Sequence, residues 1–187
     1  MMNIHMGRAL YGILYREFLR FFQQRARFLS ALVRPLIWLL VFSAGWRQTQ
    51  GLAPYPPYAT YIPYEIYMIP GLCAMIQLFN GMQSSLSMIY DREMGSMRVL
   101  LTTPLPRWFI LASRLLAGVA VSLLQVYAFL GIAFLFTYFE VLDLDIPLIG
   151  YLTVLPALII SGFMLGALGM ALSSTIKQLE NFAGVMN

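Results

Sequence analysis

Four long apolar runs alternate along the chain with shorter segments that carry most of the charges. The runs cover residues 28–46, 68–90, 108–139 and 148–174. A helix crosses a bilayer core of about 30 Å with roughly 20 residues, so each run is long enough to span a membrane. The runs lack the period-two alternation of barrel strands, and backbone groups in lipid must pair internally. The sequence therefore predicts an all-α, polytopic membrane protein with four complete transmembrane helices.

Composition supports this prediction and excludes other classes. The chain has 187 residues, of which 60% are hydrophobic and 11% are charged, whereas soluble domains carry about 25% charged residues. Such hydrophobicity excludes a disordered chain, and the single cysteine, Cys73, excludes a disulfide scaffold. We expect one transmembrane domain over residues 1–187.

The distribution of cations predicts the orientation. If the N-terminus is cytoplasmic, eleven of the twelve Lys and Arg residues fall on the inner side and Arg47 alone falls outside. The inner residues are Arg8, Arg16, Arg20, Arg25, Arg27, Arg34, Arg92, Arg98, Arg107, Arg114 and Lys177. Cytoplasmic loops of membrane proteins carry such an excess. We therefore predict a multi-pass protein of the inner (plasma) membrane with its N-terminus in the cytoplasm.

Residues 7–28 have the pattern of an amphipathic helix lying on the membrane. Arg16, Arg20 and Arg27 share one face of a helical wheel, and the opposite face carries mainly leucine and aromatic residues. We expect the cations at the lipid headgroups and the aromatic rings in the acyl boundary. A basic helix that binds nucleic acid is the alternative. Phenylalanines interleaved with arginines directly before a span argue against it, so no nucleic-acid partner is predicted.

Catalytic chemistry is not indicated by any combination of residues. His5 is the single histidine, and the sequence contains no nucleotide-binding G-x-x-x-x-G-K-[ST] pattern. Asp91 and Glu93 form a carboxylate pair, which we expect to face water in a surface cluster with Arg92. We predict a protein that is not an enzyme, with no catalytic, cofactor or metal site on this chain.

Two predicted spans carry a patterned face. Four polar residues of the second span project to one side, and in a membrane they indicate a substrate path at a subunit interface or hydrogen bonding between helices. They are Gln77, Asn80, Ser84 and Ser87. Small residues form a stripe along the fourth span, where another helix can approach closely. That stripe consists of Gly162, Gly166, Gly169 and Ser173.

Residues 91–106, between the second and third spans, have the pattern of a short cytoplasmic helix. Charged residues open it, and Thr102-Thr103-Pro104 ends it. An apolar ridge of Met97, Leu100, Leu101 and Leu105 lies along one side. Such a helix suits docking into a groove of a soluble partner. An ordinary interfacial loop is the alternative.

With these motifs the chain resembles the membrane subunit of type-2 ABC transporters. The similar segments are the amphipathic N-terminal segment, Arg34-Pro35-Leu36-Ile37-Trp38, Tyr67-Met68-Ile69-Pro70-Gly71-Leu72, Asp91-Arg92-Glu93-x-Gly95-Ser96 and Leu100-Leu101-Thr102-Thr103-Pro104-Leu105. Ser96 and Arg98 stand where threonine and an acidic residue are usual. The resemblance covers essentially the whole chain.

The resemblance implies a permease subunit of an ATP-driven transporter. Members of the family are mostly exporters, and a separate cytoplasmic ATPase binds ATP and Mg²⁺. It implies pairing with an identical or a second permease subunit. The implied ATPase-coupling residues are Asp91, Arg92, Glu93, Gly95, Ser96, Leu100, Leu101, Pro104 and Leu105. The alternatives are a membrane assembly or scaffold subunit without transport and, less favoured, a lipid-modifying enzyme. The family has six spans, so residues 177–182 resemble the start of a fifth and we expect a C-terminally truncated permease.

Overall fold

The protein is described by a computed structural model over residues 2–23, 25–47, 64–95, 97, 102, 105–139, 142, 144 and 148–175. Within these ranges the regular structure is entirely helical and contains no strand, which confirms the all-α prediction. The helices are α1 Met2–Gln23, α2 Arg25–Arg47, α3 Tyr64–Glu93, α4 Arg107–Tyr138, α5 Leu148–Thr153 and α6 Leu155–Thr175. The amphipathic helix predicted over residues 7–28 thus ends at Gln23 and a new helix begins at Arg25.

Two stretches of the described chain are long and apolar enough to cross a membrane. They are Arg107–Tyr138 and Ile149–Thr175, and α2 adds the shorter apolar segment Leu32–Phe42. The 30 residues of α3 reach about 45 Å, but amide and hydroxyl side chains dilute its hydrophobicity. A span within α2 and a span within α3 therefore stay predictions.

A break at Val154 divides the last apolar stretch into α5 and α6. Pro156 lies just inside the start of α6, where its missing N–H breaks the continuous ladder of helical hydrogen bonds. The amides of Val154 and Leu158 still bond one turn back, to the carbonyls of Gly150 and Val154 at 3.3 Å and 3.0 Å. The break is therefore local.

The helices pack around α3, which contacts α2, α4 and α6. The apolar core lies at the end of the bundle formed by the first half of α3 and the second half of α4. Its buried members are Leu32, Leu39, Ile69, Leu72, Cys73, Ile76, Val126, Phe129, Leu130, Ala133, Leu142, Leu144 and Leu158. Most buried polar side chains lie in the opposite half, toward residues 94–106.

The small-residue stripe of α6 faces α3 and α4. A Cβ atom at Gly169 would lie 2.8 Å from the carbonyl oxygen of Gly81, and one at Gly166 would lie 2.7 Å from Cδ1 of Leu115. Gly162 faces Val119 of α4, and Ser173 is buried. Close approach of the α3 and α6 backbones therefore depends on glycine at position 169, whereas Gly162 and Gly166 leave room for side chains of α4.

Gly169→Ala is expected to destabilise the protein by about 1–3 kcal/mol, because the added methyl group meets backbone that cannot rotate away. Gly131→Ala is the matched control on α4, where a Cβ would meet nothing within 4 Å. That change should be neutral or stabilising by up to about 1 kcal/mol. Thermal unfolding of both variants in detergent checks the expectation, and equal melting temperatures would contradict it.

Candidate functional site

A buried carboxylate joins three helices at the end of the bundle that faces residues 94–106. Asp91, in the last turn of α3, is 4% exposed and accepts a hydrogen bond from Arg114 of α4. From α1, Arg20 Nη2 lies 3.5 Å from Asp91 Oδ1 and Arg16 Nη2 lies 3.9 Å from Asp91 Oδ2. The expectation that Asp91 faces water is therefore wrong, because α1 packs against α4 and brings Arg16 and Arg20 to the carboxylate.

The same contacts correct the expected role of the α1 cations. Arg16 and Arg20 were expected at the lipid headgroups, but both reach inward to the carboxylate of Asp91. Asp91 lies in a largely desolvated site, where an unpaired charge is costly, so the nearest arginines pair with it. Arg92 and Glu93 in the same turn are exposed, as the sequence predicts.

Glu17 of α1 completes what we call the ion cluster, formed by Arg16, Glu17, Arg20, Asp91 and Arg114. Arg16 donates a 3.2 Å hydrogen bond to Glu17 Oε1, and Arg20 Nη1 lies 3.8 Å from the same oxygen. Burial opposes ionisation of Asp91, but the hydrogen bond from Arg114 and the charges of the three arginines hold its pKa below the usual value. Three arginines facing two carboxylates leave an excess of one positive charge.

Helix α3 ends in a turn at Gly95. The amide of Met94 donates to the carbonyl of Tyr90 at 2.9 Å, and the amide of Gly95 donates to that of Arg92 at 3.3 Å. Gly95 has φ of +74°, in the left-handed region that glycine adopts most readily at a helix end. The predicted coupling helix therefore does not begin at Asp91, since residues 91–93 are the last turn of α3.

The predicted coupling residues are thus divided between the end of α3 and the segment 94–106 that follows it, in which Met97 is helical. Asp91, Arg92 and Glu93 belong to α3, Gly95 makes the turn, and Leu105 is partly buried just before α4. The remaining four, Ser96, Leu100, Leu101 and Pro104, lie outside the described residues.

The four polar residues of α3 do not share one environment. Gln77 is buried against α6, where its Nε2 donates to the carbonyl of Leu158 at 2.7 Å and its Oε1 accepts from Ser161 at 2.6 Å. For Gln77 the structure therefore shows hydrogen bonding between helices. Asn80 is also buried, but its Nδ2 has no hydrogen-bond partner among the described residues.

Asn80, Ser84 and Ser87 border a cleft between α1, α3 and α4 with a volume of about 420 Å³. Its lining combines charged, amide, hydroxyl and apolar side chains. The residues are Glu17, Arg20, Phe21, Asn80, Gln83, Ser84, Leu86, Ser87, Tyr90, Ala117, Gly118 and Val121. We call this space the α1–α3–α4 cleft. Three of the four predicted polar residues thus line the same cleft as Glu17 and Arg20 of the ion cluster.

Gln125 of α4 is a polar residue that the sequence reasoning missed. Its side chain is fully buried, and neither Oε1 nor Nε2 has a hydrogen-bond partner in the described part of the chain. It is the single amide side chain in the run 115–139, which could have identified it. Ser84 lies opposite Gly118 on the antiparallel α4, so Gln77 and Gln125 both lie about 10 Å from that contact.

Gln125→Leu is expected to stabilise the protein by about 1–3 kcal/mol, because a leucine of similar volume removes two buried, unpaired polar atoms. Gln77→Leu is the comparison, because it removes hydrogen bonds to α6 and should cost about 1 kcal/mol. Unfolding in detergent measures both changes. A loss of stability from Gln125→Leu as large as that from Gln77→Leu would show that Gln125 has a partner in the folded protein.

Comparison with known proteins identifies the class. The model of the ABC-2 type transporter family matches residues 8–187, so the chain belongs to this family of membrane proteins. The resemblance found in the sequence motifs is thereby confirmed.

Curated relatives agree with this assignment. A protein of Porphyra purpurea, named as a transport permease (ycf38), is 30% identical over 168 residues, covering 88% of this chain and 54% of the relative. Proteins with the same name in Cyanophora paradoxa and Pyropia yezoensis are 29% and 28% identical over 130 and 166 residues, covering 66% and 88% of this chain. The chain spans about half the length of these relatives, or less. No solved structure matches the chain.

Proposed function

We propose that this chain is the permease subunit of an ATP-driven ABC transporter that exports its substrate. A separate cytoplasmic ATPase would bind ATP and Mg²⁺, and a second permease subunit, identical or related, would complete the membrane part. Membership in the ABC-2 type family over residues 8–187 supports this, as do relatives named as transport permeases. Location in the inner membrane with a cytoplasmic N-terminus belongs to the same proposal and is supported by the cation distribution.

The observation that carries the proposal is the geometry at the two ends of the segment 94–106. Asp91 precedes this loop and Arg114 follows it, and the two side chains form a buried ion pair. A force applied to the loop would therefore move the ends of α3 and α4 together. Arg16 and Arg20 would extend that movement to α1, because both also contact Asp91.

The polar face of α3 is the proposed substrate path, and its extent follows from the contacts. Gln77 is engaged by α6, which leaves Asn80, Ser84 and Ser87 beside an open cleft. Arg92 and Glu93 are exposed in the last turn of α3, at the side of the proposed ATPase contact.

Co-purification tests this proposal directly. The full-length protein that contains this chain is tagged and purified from native membranes in mild detergent. We expect a P-loop ATPase to be recovered in stoichiometric amount, with ATP hydrolysis that depends on the permease. Recovery of the intact protein without such an ATPase would contradict the proposal and favour an assembly or scaffold subunit without transport.

A further inference from the structure

The α1–α3–α4 cleft has the size and lining of a ligand site. Its volume of about 420 Å³ falls within the range of roughly 300–1,000 Å³ that small-molecule pockets occupy. Small side chains line part of this space, among them Ala117 and Gly118 of α4 and Ser84 and Ser87 of α3. A larger side chain at position 118 would contact Ser84, since a Cβ there lies 3.1 Å from the Ser84 hydroxyl oxygen.

The lining changes in character along the cleft. Glu17, Arg20 and Tyr90 border the end next to the ion cluster. Asn80 lies ten residues before Tyr90 on α3, about 15 Å further into the bundle. Apolar groups of Phe21, Leu86 and Val121 also line the space. The cleft therefore suits a ligand that is elongated and has both polar and apolar parts.

Unpaired hydrogen-bond donors indicate what such a ligand must supply. Among the described residues that line the cleft, Asn80 Nδ2 is a buried donor without an acceptor. Arg20 lies 3.5 Å and 3.8 Å from its two carboxylate partners, longer than the roughly 2.7–2.9 Å of charge-assisted hydrogen bonds. Its guanidinium, which has 40% of its side chain exposed, can therefore bond a further acceptor.

The net charge of the ion cluster also favours a ligand with an anionic group. The ion cluster holds three arginines and two carboxylates, so an anionic group would balance the remaining positive charge. A cation would instead meet an excess of like charge, which is unfavourable in a site partly screened from water.

We propose that the α1–α3–α4 cleft binds an elongated anionic amphiphile. Its acidic head group lies at Arg20, its apolar chain lies against Phe21, Leu86 and Val121, and a hydrogen-bond acceptor further along the ligand meets Asn80 Nδ2. This deepens the proposed transport function, on which it rests, by naming the chemical class of ligand at the polar face of α3. A lipid phosphate and a free phosphate share the head-group chemistry, so the test separates them.

Three matched probes test the proposal on the purified full-length permease in a neutral detergent, without any ATPase. Lauroyl lysophosphatidic acid has the phosphate, the ester oxygens and the chain. Monolaurin lacks the phosphate, and glycerol phosphate lacks the chain. We expect only the first to raise the melting temperature, by several degrees and with saturation, as a ligand that binds the folded state does.

Variants locate the binding site. Arg20→Gln is expected to weaken the affinity for lauroyl lysophosphatidic acid about 10- to 100-fold. Ser87→Leu fills the cleft without a change of charge and should abolish the temperature shift even if Arg20→Gln lowers the stability of the protein itself. Arg8→Gln is the control, because Arg8 is an exposed arginine of α1 outside the ion cluster, and it should bind as the wild type does.

Each opposite outcome overturns the proposal in a defined way. An equal shift with glycerol phosphate would show a phosphate site only, and an equal shift with monolaurin would show unspecific amphiphile binding. Unchanged binding by both Arg20→Gln and Ser87→Leu would place the ligand elsewhere. Because no ATPase is present, failure here is distinguishable from failure of the proposed transport function, which the co-purification measures.

Discussion

Asp91→Leu is expected to lower the free energy of unfolding by about 3–5 kcal/mol, because it leaves the buried Arg114 without its carboxylate. Arg114 is 5% exposed, so its guanidinium cannot reach water without movement of the surrounding helices. Arg16 and Arg20 keep about 40% of their side chains exposed and can turn to solvent. The loss of stability therefore comes mainly from the single buried cation.

The double variant Asp91→Leu/Arg114→Leu should recover most of that loss, since replacing both members of a buried ion pair by apolar residues is often neutral or stabilising. Glu93→Leu is the control, with the same chemical change at an exposed position in the same helical turn. It should change stability by no more than about 0.5 kcal/mol. Equal losses of stability from Asp91→Leu and Glu93→Leu would contradict the expectation. So would a double variant that is less stable than Asp91→Leu alone.

The pH dependence of stability gives a second test of the role of the Asp91 carboxylate. Its pKa lies below the usual value in the folded protein, so the stability it contributes is fully present above its unfolded pKa of about 3.9. That contribution is lost as the pH falls through the folded pKa. The difference between wild type and Asp91→Leu should therefore be constant from about pH 5 to pH 7 and shrink below about pH 4.

The all-helical fold could be predicted from the sequence because its evidence is local. The long apolar runs and the motif around residues 91–105 are contiguous, and both lead to the ABC-2 type family. The burial of Asp91 could not be predicted in this way. The sequence shows it beside Arg92 and Glu93 at the edge of a loop, while its partners Arg16 and Arg114 are distant along the chain. Only the packing of α4 against both α1 and α3 brings them together.

The surroundings of the polar residues on α3 also could not be predicted from the sequence. Helical periodicity places Gln77, Asn80 and Ser84 on one side of α3 but does not say what packs against each turn. The α6 backbone approaches at Gln77 and accepts its hydrogen bond, whereas Asn80 and Ser84 border the α1–α3–α4 cleft. The difference between a structural and a ligand-facing amide is therefore a property of the neighbouring helices.

Leu100→Asp/Leu101→Asp is expected to weaken binding of the proposed ATPase by about two to four orders of magnitude. The ends of the loop are defined, because α3 stops at the left-handed turn of Gly95 and α4 begins at Arg107. The pair Asp91–Arg114 holds these two helix ends together. The loop between them carries the predicted apolar ridge, in which each leucine buried in a partner groove contributes roughly 1.5–3 kcal/mol.

The measurement is a pull-down of the ATPase with wild-type and double-variant full-length permease in detergent. Membrane insertion should be unaffected, because the changes lie outside the predicted spans. Thr102→Asp is the control, since Thr102 is exposed in the same loop but is not part of the ridge, and it should retain most of the ATPase. If the double variant and Thr102→Asp recover equal amounts, the leucines do not form the docking surface. Energy from ATP hydrolysis would then have to enter through other residues near the ion cluster, of which the exposed Arg92 and Glu93 are the first to examine.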